Sequence, residues 1–138
     1  MHILVIDAQG GGIGRQLVSA LKQRLPECTL TAVGTNSRAT ASMLKAGADG
    51  AATGENAVVV GCRTADVIIG PIGIAIADAM LGEVTPKMAL AVAQSRAWKV
   101  LIPFQSCGCT VVGVGEAGIG QMIEQAADMV QKKAGAPV

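Results

Sequence analysis

An unbroken apolar run, Ile3 to Ile6, meets the turn Asp7-Ala-Gln-Gly-Gly-Gly-Ile-Gly14 and passes directly into a helical pattern that begins at Gly12. A strand with no polar position is covered on both faces, as strands are in a parallel sheet flanked by helices. Glycines in the turn allow positive φ and let the backbone approach a ligand closely. The helix end that follows offers unpaired N–H groups and a partial positive charge, so the segment reads as a phosphate cradle.

Strand and helix signals alternate along the rest of the chain. Ile13, Leu17, Ala20, Leu21 and Leu25 share one helical face, and Pro26 ends that helix. Thr29 to Val33 is a second strand. Asn36 or Ser37 caps a helix that continues to about Ala46 and closes at Gly47. Asp49 to Ala52 is a short third strand. Val58-Val59-Val60 has strand propensity, but a cap at Thr53 and the need for a crossover before the next parallel strand favour a short helix over Ala57 to Arg63. Val67 to Gly70 is the fourth strand. Two helical pieces follow it: Ile74 to Leu81, broken by Gly82, and a second with Thr85 as cap and Pro86 at its first position, extending to about Ser95. Trp98 to Phe104 is the fifth strand, with Pro103 marking its end or an edge. Thr110 to Val114 alternates and is a candidate antiparallel last strand. Ile119 to Lys133 is the final helix, with residues 134–138 a mobile tail. The expectation is a single α/β domain, a three-layer, doubly wound, mostly parallel sheet of Rossmann-like type.

Composition narrows the partners. A chain of 138 residues fits one domain. Charged residues are 15% of it and apolar residues 51%, against about 25% charged in ordinary soluble proteins, which leaves little polar side chain to cover a monomer. A homo-oligomer is expected, with an apolar patch near Met80 to Pro86. The longest apolar run, Val67 to Ala77, contains Pro71 and falls short of the ~20 residues of a membrane span, so no membrane partner is expected. The start has no basic region and meets Asp7 at once, unlike a secretory signal, and a cytoplasmic location is expected. A net charge of +1, with one Phe, one Trp and no Tyr, argues against nucleic acid. Four cysteines with a single histidine, His2, and no Cys-x-x-Cys pair give no metal framework.

Ligands of open parallel sheets bind outside the carboxyl ends of the strands. The segments there are Gln9, Gly10, Gly11, Gly12, Ile13 and Gly14; Thr35, Asn36, Ser37 and Arg38; Gly54, Glu55 and Asn56; Gly70, Pro71, Ile72 and Gly73; and Gln105 to Cys109. The first turn is not a strict Gly-x-Gly-x-x-Gly, because Arg15 stands at the last glycine. It is not a P-loop either, because Arg15-Gln16 stand in place of Lys-Ser/Thr. It resembles the short-chain dehydrogenase turn Gly-x-x-x-Gly-Ile-Gly, with Ala8 replacing the first glycine. The catalytic tyrosine of that family has no counterpart in a chain without tyrosine, which excludes hydride transfer by that mechanism and leaves cofactor binding open. Thr35-Asn36-Ser37-Arg38 at the second strand end favours a phosphorylated ribose, hence NADP or another nucleotide over NAD; a helix cap with a solvated arginine is the alternative. Cys107 and Cys109 read either as a redox or metal pair or, with no basic residue beside them, as ordinary small apolar residues. Asp7 and Glu55 are the carboxylates expected at this rim and the candidate general bases. A non-catalytic assembly or regulatory subunit, its glycine turns serving only packing, is the competing function.

Taken together, Gln9 to Gly14, Gly34-Thr35-Asn36, Ala52-Thr53-Gly54-Glu55-Asn56-Ala57 and Gly70-Pro71-Ile72-Gly73-Ile74 resemble a family of short bacterial proteins known as a domain of unknown function. The resemblance covers nearly the whole chain. It implies the single-domain, Rossmann-like organisation and brings no activity with it.

Overall fold

In a computed structural model, which describes residues 1–103 and 108–135, the chain forms five parallel strands: β1 (His2–Asp7), β2 (Thr29–Gly34), β3 (Gly50–Thr53), β4 (Val67–Pro71) and β5 (Trp98–Ile102). They lie in the order β3-β2-β1-β4-β5. β1 is central: Ile3 pairs with Leu30 on one side and with Val67 on the other. Ile3, Leu4, Val5 and Ile6 are all buried, as the unbroken apolar run requires of a strand covered on both faces.

The helices are α1 (Gly12–Arg24), α2 (Ser37–Lys45), α3 (Glu55–Thr64), α4 (Pro86–Gln94) and α5 (Ile119–Ala134). Alternation along β1 sorts the core into two. Ile3 and Val5 pack with Leu17, Leu21, Met43 and Val130 from α1, α2 and α5. Leu4 and Ile6 pack with Val58 from α3 and with Met88 and Val92 from α4. The three-layer, doubly wound architecture is therefore present. α1 and α5 are also joined at the surface, where Arg24 meets Glu124 at 2.6 Å and Asp128 at 3.4 Å.

Several local expectations hold. The Asn36 side chain caps α2, its Oδ1 accepting from Ala39 N at 2.9 Å, and Thr85 Oγ1 caps α4 by accepting from Met88 N at 3.1 Å ahead of Pro86. The valine-rich stretch is helical: Val58 is buried against the sheet, and the crossover to β4 overrides its strand propensity. Its cap is Gly54, at φ 103°, rather than Thr53, which ends β3.

Three expectations are corrected. The segment after β4 is not a helix from 74 to 81. A short 3₁₀ turn, Ile72–Ala75, gives way to successive turns in which Asp78, Met80, Leu81 and Gly82 all have positive φ, a conformation that ends helical hydrogen bonding. Residues 110–114 are not a sixth strand; they form an exposed loop, and every strand pair among the described residues is parallel. β5 ends at Ile102, before Pro103, whose missing N–H cannot extend a ladder. Phe104 and the tail at 136–138 lie outside the described residues, while Ala134 is the last residue of α5. No helix among the described residues is long and apolar enough to cross a membrane.

Candidate functional site

The connection after β1 goes to one face of the sheet and that after β4 to the other, so their first turns diverge and leave a crevice at the carboxyl ends of two adjacent strands. Such switch points are where doubly wound sheets hold ligands. A cleft of about 250 Å³ lies there, lined by Asp7, Ala8, Gln9, Gly10, Gly12, Ile13 and Gln16 from the β1 side and by Pro71, Gly73, Met80 and Ile119.

The four glycines of the first turn do different work. Gly11 is the N-cap of α1 at φ 70°, and a Cβ there would sit 3.0 Å from the Ala39 backbone. At Gly14 a Cβ would lie 2.5 Å from Met43 Sδ and 2.8 Å from Asp7 Cβ, so this glycine lets α1 close onto β1 and α2. At Gly10 and Gly12, by contrast, a Cβ would meet nothing within 4 Å. Their N–H groups also find no acceptor among the described residues, whereas Gly11 N reaches Ala8 O at 3.0 Å.

Asp7 forms the floor. It is 4% exposed, and its carboxylate accepts from Ala8 N at 2.8 Å and from Gly14 N at 2.6 Å. Burial pushes its carboxyl above the ordinary value, the backbone N–H groups of Gly14, Ala8 and Ile13 oppose that, and the charge of Glu83 adds to the rise. Glu83 is the second carboxylate at this rim. Its Oε1 accepts from Gln9 N at 2.9 Å, Thr35 Oγ1 at 2.7 Å and Asn36 Nδ2 at 2.7 Å, and Asn36 Nδ2 also donates to Gln9 O at 2.9 Å. Burial works to raise the Glu83 carboxyl, but the three hydrogen bonds outweigh it and hold the group below its ordinary value.

A family model described as "Domain of unknown function (DUF3842)" matches residues 2–135. The chain belongs to this family. No curated protein matches it. Among solved structures it is similar to a dodecameric FMN-dependent UbiX-like decarboxylase from Escherichia coli O157:H7, with a TM-score of 0.45 and 18% identity over 94% of this chain and 75% of that one.

In this member of the family the expected rim residues separate. Gln9, Gly10, Gly12 and Ile13 come together with Pro71 and Gly73 in the cleft. Gly11 and Gly14 serve packing, and so does Gly70, where a Cβ would strike the Ile6 carbonyl of the neighbouring strand. Ile72 belongs to the 3₁₀ turn and does not line the cleft. Gly54, Glu55 and Asn56 follow β3, the sheet edge, with β2 between them and β1. The residues expected to form a second anion subsite at the end of β2 divide between a carboxylate and the surface. Thr35 and Asn36 are engaged by Glu83, while Ser37 and Arg38 are exposed in the first turn of α2 and line no part of the cleft.

The places of Met80, Gln16 and Ile119 in the cleft lining and of Glu83 at its rim were not legible in the sequence. Reading 74–81 as a helix hid Glu83, because that helix would carry the chain away from the rim; a position after β4 beside Gly82 was the available signal. Gln105, Ser106 and Cys107 lie outside the described residues, and Cys109 is exposed. The buried Cys62 thiol is pushed up to about 11 by burial, with Lys99 opposing, which leaves it protonated and unreactive at neutral pH. Among the described residues no three of His, Cys, Asp and Glu gather in a way that could hold a metal.

Proposed function

We propose that the switch-point cleft binds a small nucleotide-class ligand, with a phosphate over the Gly10 and Gly12 N–H groups. The observation that carries this reading is the pair of glycines that nothing in the protein demands. Their absent side chains keep a cradle open, and their donors are unused, as a backbone that meets a ligand requires. At about 250 Å³ the cleft is just below the usual ~300–1,000 Å³ of ligand pockets, so it suits a phosphoribosyl portion with the remainder lying over the rim.

The earlier preference for NADP gives way here. A 2′-phosphate at the end of β2 would face the Glu83 carboxylate, which already takes the Thr35 and Asn36 donors. An acid at this place suits ribose hydroxyls instead, as in NAD-type sites. Here the acid arrives from the β4–α4 connection and not from β2 itself. The module works as a homo-oligomer in this reading, since Leu81 and Val112 are 97% and 96% exposed.

The test is thermal-shift and calorimetric titration with NAD, NADP, AMP, ATP and FMN. At least one should bind, with NAD ahead of NADP. Gly12→Val should weaken that ligand at least about tenfold, ~1.4 kcal/mol, with folding intact. A ligand that binds Gly12→Val as well as wild type lies elsewhere.

A further inference from the structure

Among the described residues, no cation lines the cleft read here as a phosphate site. Its lining holds no Lys, Arg or His, and its floor is a carboxylate. Arg15 and Arg38, in the first turns of α1 and α2, are exposed and outside it. The positive end of α1 is partly used already, because Asp7 takes the Gly14 N–H at 2.6 Å. A phosphate seated on Gly10 and Gly12 therefore brings a second negative charge beside a buried one, in surroundings where water screens little.

We propose that a phosphate-bearing ligand enters this cleft together with one proton, which is taken from solvent onto the Asp7 carboxyl. The inference rests on the phosphate reading of Gly10 and Gly12. Protonation removes the repulsion without disturbing the floor: a carboxylic acid keeps acceptor capacity for Ala8 N and Gly14 N and gains an O–H donor. The groups around Asp7 favour this. Glu83, from the β4–α4 connection, is anionic and pushes Asp7 toward the neutral form. The other neighbours are uncharged: the Thr35 N–H on the Asp7 carbonyl from the end of β2, Met43 from α2 beyond Gly14, and Ile119 at the start of α5.

The consequence has a definite sign. An anion raises the Asp7 pKa in the complex above its value in the free protein, so affinity is highest below the free value. It falls by up to about tenfold per pH unit between the two values and levels off above the bound one.

NAD is a suitable probe, because its pyrophosphate diester does not titrate between about pH 5 and 8. Calorimetry of NAD with the wild-type chain in two buffers of different ionisation enthalpy, repeated from acid to neutral pH, should show net proton uptake wherever the affinity falls, approaching one proton where it falls most steeply. Asp7→Asn should bind NAD with little dependence on pH. The buffer comparison needs no variant and stands even if Asp7→Asn does not fold. Binding that is level with pH and takes up no proton overturns the inference and leaves the ligand reading intact. The same pH dependence in a folded Asp7→Asn places the proton on another group and also overturns it. If NAD does not bind at any pH this inference falls, and the phosphate reading falls with it only when NADP, AMP, ATP and FMN fail to bind as well.

Discussion

Gly12 and Gly14 stand two residues apart in the first turn of α1 and differ in what a methyl group would meet. Gly12→Ala adds a group to open space at a helical φ and reduces the freedom of the unfolded chain, so it should stabilise the fold by about 0.4–1 kcal/mol while weakening any ligand in the cleft. Gly14→Ala places its Cβ against Met43 Sδ and Asp7 Cβ and should cost about 1–3 kcal/mol. Urea midpoints at unchanged m-value read both; equal effects of the two substitutions would deny the division between ligand space and packing. Asp7 and Glu83 should leave opposite marks on stability. Asp7 is raised in the folded state, so its ionisation lowers stability as pH rises from the unfolded value of 3.8 through the folded one. Glu83 is depressed, so its contribution is present above 4.5 and is lost as pH falls through the folded value. Relative to wild type, Asp7→Asn should gain stability as pH rises above 3.8, and Glu83→Gln should recover its deficit as pH falls below 4.5. Chemical denaturation across the acid range checks both signs.

The connection of residues 76–84 is held to the rim chiefly by one oxygen. Glu83 Oε1 ties it to the turns after β1 and β2, Met80 reaches the cleft and Val84 is buried beneath. Three non-glycine residues in this connection have positive φ, a conformation that persists where neighbouring contacts enforce it. Removing the clasp with Glu83→Ala forfeits three hydrogen bonds at a partly exposed site, which after discount for solvent should cost about 1–2 kcal/mol. Hydrogen exchange should accelerate at Gln9 N, which donates to Glu83, and at Asp78 N and Val84 N, which close turns within the connection. Amides of β1 should keep their protection. Acceleration spread evenly over the sheet would show that Glu83 supports the whole fold and not this connection.

At the scale of the molecule, low charge and high apolar content left an excess of apolar surface to explain, and the fold places part of it at Leu81, within the stretch expected from the sequence. Met80 beside it is buried and faces the cleft, so the patch is smaller than the sequence suggested. Light scattering at tens of micromolar should give a mass above one chain, and Leu81→Asp should lower it if this surface is the contact; a wild-type monomer ends the oligomer reading. The elements and their order were legible because their causes are local. Continuous apolar runs mark parallel strands, a period-3.6 pattern marks α1, and Asn36, Thr85 and Pro86 mark helix starts through bonds within a few residues. The glycine turn after β1 could likewise be placed at the sheet rim from sequence. Which of its glycines face open space and which face packed neighbours could not, because that depends on Ala39, Met43 and Asp7 arriving from other elements. The carboxylate at the end of β2 was hidden for the same reason: Glu83 meets Thr35 and Asn36 across nearly fifty residues of chain, and only the tertiary fold brings that contact together.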